Sequence, residues 1–299
     1  MAPDSFNDFL VQIVSSQEAF RSKNLESKLR EFGLNFQISP GVILTDNEYE
    51  NGSFHSAYLS KLLCQRDLRI GEVGCALAHR NAITNFLNSD YKFGIVFEDD
   101  VEVIADFDFA AISKLFDTNL PMIVALGWSP GFAIASSQQS FLIGEPIELI
   151  TSTTGTFAYA INRSAAELMV GASKKIIDLA DWPVYTLNKV NFYATYSPWV
   201  TTNHDPNLSM IGERANPAPK GPIAVLAGRI KLVTFLVLLI LLSKTSRLNV
   251  SSKQVIHRLL IRDFLYKYGI SQVDEKSTKN EVIPFPLKYE KLLGFLKVN

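Results

Sequence analysis

Cysteine is nearly absent from this chain, with two in 299 residues, Cys64 and Cys75. That excludes a disulfide framework, and the pair lacks the spacing of a zinc module. An excess of one charge is missing too. Lys and Arg number 29 against 30 Asp and Glu, so a net charge of −1 offers no global attraction to nucleic acid. Internal repeats and low-complexity tracts are absent, and the composition is not that of a disordered chain. The segment Met1-Ala2-Pro3-Asp4-Ser5 shows no basic stretch leading into an apolar run, so no signal peptide is expected. The expectation is therefore a protein of a reducing, cytoplasmic compartment. What the chain does have is 47% hydrophobic residues, enough for a substantial core.

The apolar residues come in short blocks. Phe9-Leu10-Val11-Gln12-Ile13-Val14 predicts a strand, followed by a helix from about Gln17 to Arg30 that stops near Gly33. Asn35 to Ile38 predicts a second strand, and a β-α-β opening predicts an α/β fold with a mostly parallel sheet. Gly71 to about Leu87 predicts a helix with Ala76, His79 and Ile83 on one stripe and Leu77 and Arg80 alongside. Its small residues Gly74, Cys75, Ala76 and Ala78 suit a close approach to backbone or ligand, with Cys75 expected as a small buried side chain. Phe93 to Phe97, Pro121 to Gly127 and Thr156 to Ile161 predict further strands. Ser164 is expected to cap a helix from Ala165 to about Gly171, with Glu167 at the capping-box position.

Proline and glycine at Asn216-Pro217-Ala218-Pro219-Lys220-Gly221-Pro222 mark the clearest boundary, dividing a domain over 1–215 from a helical appendage over 216–299. The appendage differs in charge. Nine basic residues stand against Asp263 alone between Lys220 and Lys267, giving +8 and leaving −9 for the rest of the chain. Leu232 to Leu242 is eleven residues, apolar except for Thr234. Such a run reaches about 16 Å, short of the roughly 20 residues a span requires. Extending it back to Ile223 places Arg229 and Lys231 near the middle, each costing about 2.5–3.5 kcal/mol there. The reading that fits is a basic, apolar tail lying against an anionic membrane surface through residues 220–267; a core helix is the plainer alternative.

The strand at Phe93 ends in Glu98-Asp99-Asp100. Adjacent carboxylates raise each other's pKa and lose hydration on burial, a cost that a divalent cation offsets. Mg²⁺ and Mn²⁺ prefer such oxygen ligands. From these three residues alone, a solvated acidic turn remains the alternative.

The neighbouring segments carry a resemblance. Gly71-Glu72-Val73-Gly74-Cys75-Ala76-Leu77-Ala78-His79, followed about twenty residues later by Ile95-Val96-Phe97-Glu98-Asp99-Asp100-Val101, resembles glycosyltransferase family 25. This family of lipooligosaccharide galactosyltransferases, related to the collagen galactosyltransferases, carries G-E-[IV]-G-C-x-x-S-H and then an apolar strand ending in E-D-D. Thr153-Thr154-Gly155-Thr156-Phe157-Ala158-Tyr159 is similar to a later G-T-x-x-Y segment, and Asp181-Trp182-Pro183 to a later acidic one. The resemblance covers about Phe9 to Ala215. Ala78 stands where the family has serine, and Ser15-Ser16 where it has Asn-Leu.

The resemblance implies a GT-A-like nucleotide-sugar transferase using Mn²⁺ or Mg²⁺ and inverting the anomeric centre. It implies a UDP-sugar donor, galactose favoured, and a lipooligosaccharide or related glycan acceptor. Metal contact falls to Glu98 and Asp100, with Asp100 favoured, and donor contact to Arg21, Glu72, His79 and Asp99. Single displacement needs a carboxylate to take the acceptor hydroxyl's proton, a role expected of Asp181 beside Trp182. Glu72 is equally placed to cap its helix, His79 to be a packed histidine, and Asp181 to cap a helix. His204 is read as a loop residue or a late metal or phosphate ligand.

Two other functions use the same residues: a metal-dependent nucleotide-sugar hydrolase, and a non-catalytic relative acting as an assembly partner. If the tail is the membrane contact, deleting residues 220–299 should move the protein from the membrane pellet to the supernatant. A truncated form that still sediments with membranes would refute that role for the tail.

Overall fold

The computed structural model describes residues 7–15, 22–58, 60, 67–127, 146–149, 155–177, 180, 182, 189–195 and 197–202. The expected boundary at 216–222, the basic tail, Cys64, Arg21, Asp181 and His204 lie outside them. No described helix is long and apolar enough to cross a membrane.

Alternation along the strands dictates the architecture. In strand β1 (Phe9–Ser15), Leu10 and Val14 face one core while Phe9, Val11 and Ile13 face another. Strand β3 (Phe93–Glu98) sends Val96 to the first core and Ile95 and Phe97 to the second. A period-two chain that is apolar at nearly every position has to be covered on both faces. Helices α3 (Ile70–Leu87) and α5 (Arg163–Ala172) cover the first face, with Ala78, Ala82, Ile83, Phe86, Ala165 and Met169. Helices α1 (Lys23–Glu31) and α4 (Phe109–Phe116) cover the second with Leu25, Leu29, Phe109 and Ile112.

The central sheet has the order β2-β1-β3-β7-β5-β8-β6, where β2 is Phe36–Pro40, β5 Met122–Ala125, β6 Ile147–Leu149, β7 Ala158–Asn162 and β8 Asn191–Ala194. β1 is parallel to β2 and β3, and β5 is parallel to β8. β7 runs antiparallel to β3 and β5, and β6 antiparallel to β8, so five strands share one direction. The expected mostly parallel α/β sheet is thus present, with two reversed strands. A two-stranded ladder of β4 (Val101–Val103) and β9 (Val200–Thr202) extends beyond the end of β3.

Several local expectations shift. Of the helix expected from about Gln17, the described part is α1 from Lys23, and Gln17 itself lies outside the described residues; Ser22 precedes α1, its hydroxyl donating to Glu26 Oε1 at 2.7 Å. The helix ends as expected where Gly33 takes φ 71°, a left-handed conformation that glycine accepts without strain. A short helix α2 (Asp46–Asn51), with Thr45 and Glu48 forming a capping box, falls in a stretch whose periodicity predicted nothing. Gly74 allows α3 to lie against the chain after β2, because a Cβ there would overlap the Val42 carbonyl oxygen.

Ser164 does not cap α5. Asn162, the last residue of β7, holds that position, its Oδ1 accepting the Ala165 amide at 3.1 Å. The same side chain accepts the Met122 amide at 3.0 Å and donates to the Leu120 carbonyl at 2.7 Å. An amide, unlike a serine hydroxyl, reaches both the helix start and the adjacent strand with separate donor and acceptor atoms. Asn162→Ala should therefore remove a cap and leave buried backbone groups unpaired, lowering stability by about 2–3 kcal/mol. Urea unfolding should show a lower midpoint at unchanged slope; an unaltered midpoint would contradict this role.

Candidate active site

The acidic triplet stands at the carboxyl edge of the sheet, where β1, β3 and β5 end and β7 begins. Register decides where its side chains go. Val14 pairs with Glu98 across the parallel ladder, so the next positions, Ser15 and Asp99, face each other. Ser15 Oγ donates to Asp99 Oδ2 at 3.1 Å, with both residues buried. Glu98 falls one residue earlier and continues the alternation toward the face covered by α3.

There it meets His79. The imidazole Nε2 lies 3.2 Å from Glu98 Oε1, and Nδ1 lies 3.2 Å from the Tyr159 hydroxyl. Tyr159 is on β7, opposite Val96 of β3, and its ring stacks on the imidazole at a centroid distance of 5.8 Å. Burial, with the charge of Glu98 adding to it, pushes the Tyr159 phenol far above its ordinary pKa, so it stays a neutral hydroxyl. Trp182 packs edge-on against Tyr159 at 5.2 Å and Phe192 at 5.3 Å. One continuous contact path therefore joins α3, β3, β7 and Trp182. A cleft lined by Ala76, Ile83, Thr156, Tyr159, Met169 and Trp182 opens beside His79.

The expected site residues separate into distinct roles. Glu98 and His79 are brought together, Asp99 turns instead to Ser15, and Asp100 follows at the half-buried turn into β4. Glu72 caps α3: its Oε2 accepts the Arg69 amide at 2.8 Å, and the side chain is buried. His79 is buried as well, held at both ring nitrogens. Cys75 departs from expectation. It is half-buried rather than buried and stands one helical turn before His79, on the same face. The ligand atoms of Cys75, His79 and Glu98 lie within 4.8 Å of one another.

Ser15 was absent from the residues expected at the site. Its partner is 84 positions away, and no local pattern signals a contact fixed by sheet register. Tyr159 had a signal, the G-T-x-x-Y segment, but nothing in that segment points to His79.

An α/β sheet with its polar and acidic residues gathered at one carboxyl edge defines a protein whose ligand site is built on strand ends. The chain belongs to glycosyltransferase family 25: the model of that family, described as "Glycosyltransferase family 25 (LPS biosynthesis protein)", matches residues 8–186. Membership makes the protein a glycosyltransferase, with a nucleotide-sugar donor and a glycan acceptor. No curated protein matches the chain. Among solved structures it is similar to A197 from STIV, at 14% identity and TM-score 0.33, covering 62% of this chain and 80% of that one. It is also similar to a glycosyltransferase involved in the glycosylation of the major capsid of PBCV-1, at 14% identity and TM-score 0.29, covering 55% of this chain and 65% of that one.

Replacing Ser15 with alanine should remove a hydrogen bond to a buried carboxylate and cost about 1.5–3 kcal/mol. Calorimetry should show a lower melting temperature for Ser15→Ala. An unchanged melting temperature would show that the Ser15 contact contributes nothing to holding the turn.

Proposed function

We propose that this glycosyltransferase is an inverting hexosyltransferase on a GT-A-like frame. It transfers a hexose, galactose favoured, from a UDP-sugar to a lipooligosaccharide or lipopolysaccharide acceptor. The observation that carries this reading is the convergence of three separate segments on one sheet edge: His79 from α3, Glu98-Asp99 from β3 and Tyr159 from β7. A packing motif would need apolar complementarity there, whereas these segments present carboxylates and an oriented imidazole.

Mn²⁺ or Mg²⁺ fits the donor set at the end of β3. Glu98 and Asp100 offer hard carboxylate oxygens and are half-buried, neither sealed in the core nor fully solvated. These two residues would hold the ion. When bound, it supplies positive charge against the nucleoside diphosphate leaving group. The chain's own residues do the rest. Asp99, fixed on Ser15, holds the turn; His79, fixed on Tyr159, aims Glu98. Asp181 is assigned the base that accepts the acceptor hydroxyl's proton, so that the incoming oxygen forms its bond to the anomeric carbon as the bond to diphosphate breaks. That assignment rests on the resemblance of Asp181-Trp182-Pro183 to the family's later acidic segment. Arg21 is assigned to the donor's phosphates by its charge. The basic tail would bring the enzyme to a lipid-linked acceptor at the inner-membrane surface.

Thermal unfolding with UDP-galactose, UDP-glucose and their N-acetyl forms, each with and without Mn²⁺, tests the donor. A donor at a hundred times its Kd should stabilise the fold by about 2.7 kcal/mol. Asp100→Ala should lose the Mn²⁺-dependent part of that protection and reduce transfer at least about 100-fold, the scale of one lost transition-state charge contact. Donor consumption that proceeds equally fast without any acceptor would overturn the transferase reading in favour of hydrolysis.

A further inference from the structure

Cys75 has no part in the mechanism above, yet it stands one turn before His79 on α3 with Glu98 facing both. Residues four apart on a helix share a face, the spacing that lets two side chains of one helix hold a single metal ion. We propose that Cys75, His79 and Glu98 form a three-ligand site for a thiophilic divalent ion of the Zn²⁺ class, with a fourth position open to water or ligand.

The donor chemistry differs from that of the carboxylate pair assigned to Mn²⁺ or Mg²⁺. A thiolate, an imidazole and one carboxylate select a borderline ion, whereas Mg²⁺ and Mn²⁺ favour oxygen alone. The two sites share only Glu98.

Geometry supports the assignment at three points. In a tetrahedral zinc site, bonds of about 2.1 Å place neighbouring nitrogen and oxygen ligands about 3.4 Å apart. The Nε2 to Oε1 separation of 3.2 Å is already close to that. The widest ligand separation, within 4.8 Å, requires a closure of at most about 1 Å, which Cys75 and Glu98, both half-buried, have room to make.

The third point is the partner of the other ring nitrogen. A metal-bound histidine usually donates its second N–H to an oxygen that fixes the tautomer. Tyr159 supplies that oxygen to Nδ1 at 3.2 Å. A neutral phenol can also serve without metal, by donating to Nδ1 while Nε2–H donates to Glu98. His79 thus keeps Tyr159 and Glu98 as neighbours in both states, with a shift of protons on the imidazole and phenol and the closure of Cys75 separating them.

Titrating the full-length protein with Co²⁺, a spectroscopic stand-in for Zn²⁺, reads the site without any transfer reaction. One equivalent should give the thiolate-to-cobalt charge-transfer band and the visible bands of tetrahedral coordination, both abolished by Zn²⁺. Cys64→Ser should keep them and Cys75→Ser should lose them. Zn²⁺ affinity should fall by more than about 100-fold in Cys75→Ser, beyond the 10–100-fold typical of losing an outer-shell partner. On the unaltered protein, Zn²⁺ but not Mg²⁺ should slow alkylation of Cys75 at least tenfold, followed by peptide mass. Absence of the charge-transfer band, its survival in Cys75→Ser, or an alkylation rate indifferent to Zn²⁺ would each overturn the site. The transferase reading would stand in any of those cases.

Discussion

The site depends on one buried side chain bonded in two directions. His79 reaches Glu98 through one ring nitrogen and Tyr159 through the other, so a single side chain of α3 ties the helix to both β3 and β7. An imidazole can do this because its two nitrogens point apart on a rigid ring, whereas a hydroxyl would have to meet both partners from one atom and a lysine would carry a charge into the core. Burying it without partners would cost on the order of 1–3 kcal/mol. With both partners present, the polar atoms are matched and the position of α3 relative to the sheet edge is fixed. Gln12 reinforces that position from β1, its Nε2 donating to the Ala82 carbonyl at 2.8 Å.

The rest of the sheet edge follows from parity. Side chains alternate across each strand, so the two faces of the sheet are decided once the apolar residues commit to their cores. The polar residues that continue β1 and β3 inherit the same alternation. Ser15 and Asp99 are paired by register, and Glu98 is sent to α3, with no further instruction needed. A slip of one residue between β1 and β3 would separate Ser15 from Asp99 and leave a buried carboxylate short of a partner. The chemistry of the edge and the packing of the core are therefore one constraint read at two places along the same strands.

Much of this was legible before any coordinates. The β-α-β opening, the helix at Ile70–Leu87, the apolar strand at Phe93 and the buried strands at Met122 and Ala158 all announce themselves through periodicity and length. The stripe of Ala76, His79 and Ile83 does line one cleft. The misses have physical causes. Helix starts are set by whichever side chain reaches the free amides, and Asn162 outcompetes Ser164 because it also ties down the neighbouring strand. Strand reversal at β7 leaves no mark in composition, since a buried strand is equally apolar in either direction. Contacts such as Ser15 with Asp99 and His79 with Tyr159 join residues 84 and 80 positions apart, and pairing at that distance is set by the fold, not by spacing.

The division of labour within the triplet is the point where sequence and structure together say more than either alone. Three adjacent carboxylates look interchangeable in the sequence. Their surroundings make them unlike: Glu98 is half-buried and bound to an imidazole, Asp99 is buried on a hydroxyl, and Asp100 is half-buried at the turn into β4. A buried, hydrogen-bonded carboxylate is well suited to fixing a turn and poorly placed to follow a ligand that arrives and leaves. Carboxylates at the half-buried flanks keep some access to solvent and hence to an incoming ion. The middle residue thus acts as the anchor, and its two neighbours keep the exposure that the cation role proposed for them requires. Local repulsion among the three also falls in this arrangement, because burying Asp99 toward Ser15 while Glu98 turns to His79 points adjacent charges in different directions. The acidic run is therefore tolerable at a strand end in a way it would not be within the strand, where each carboxylate would enter an apolar core with no partner of its own.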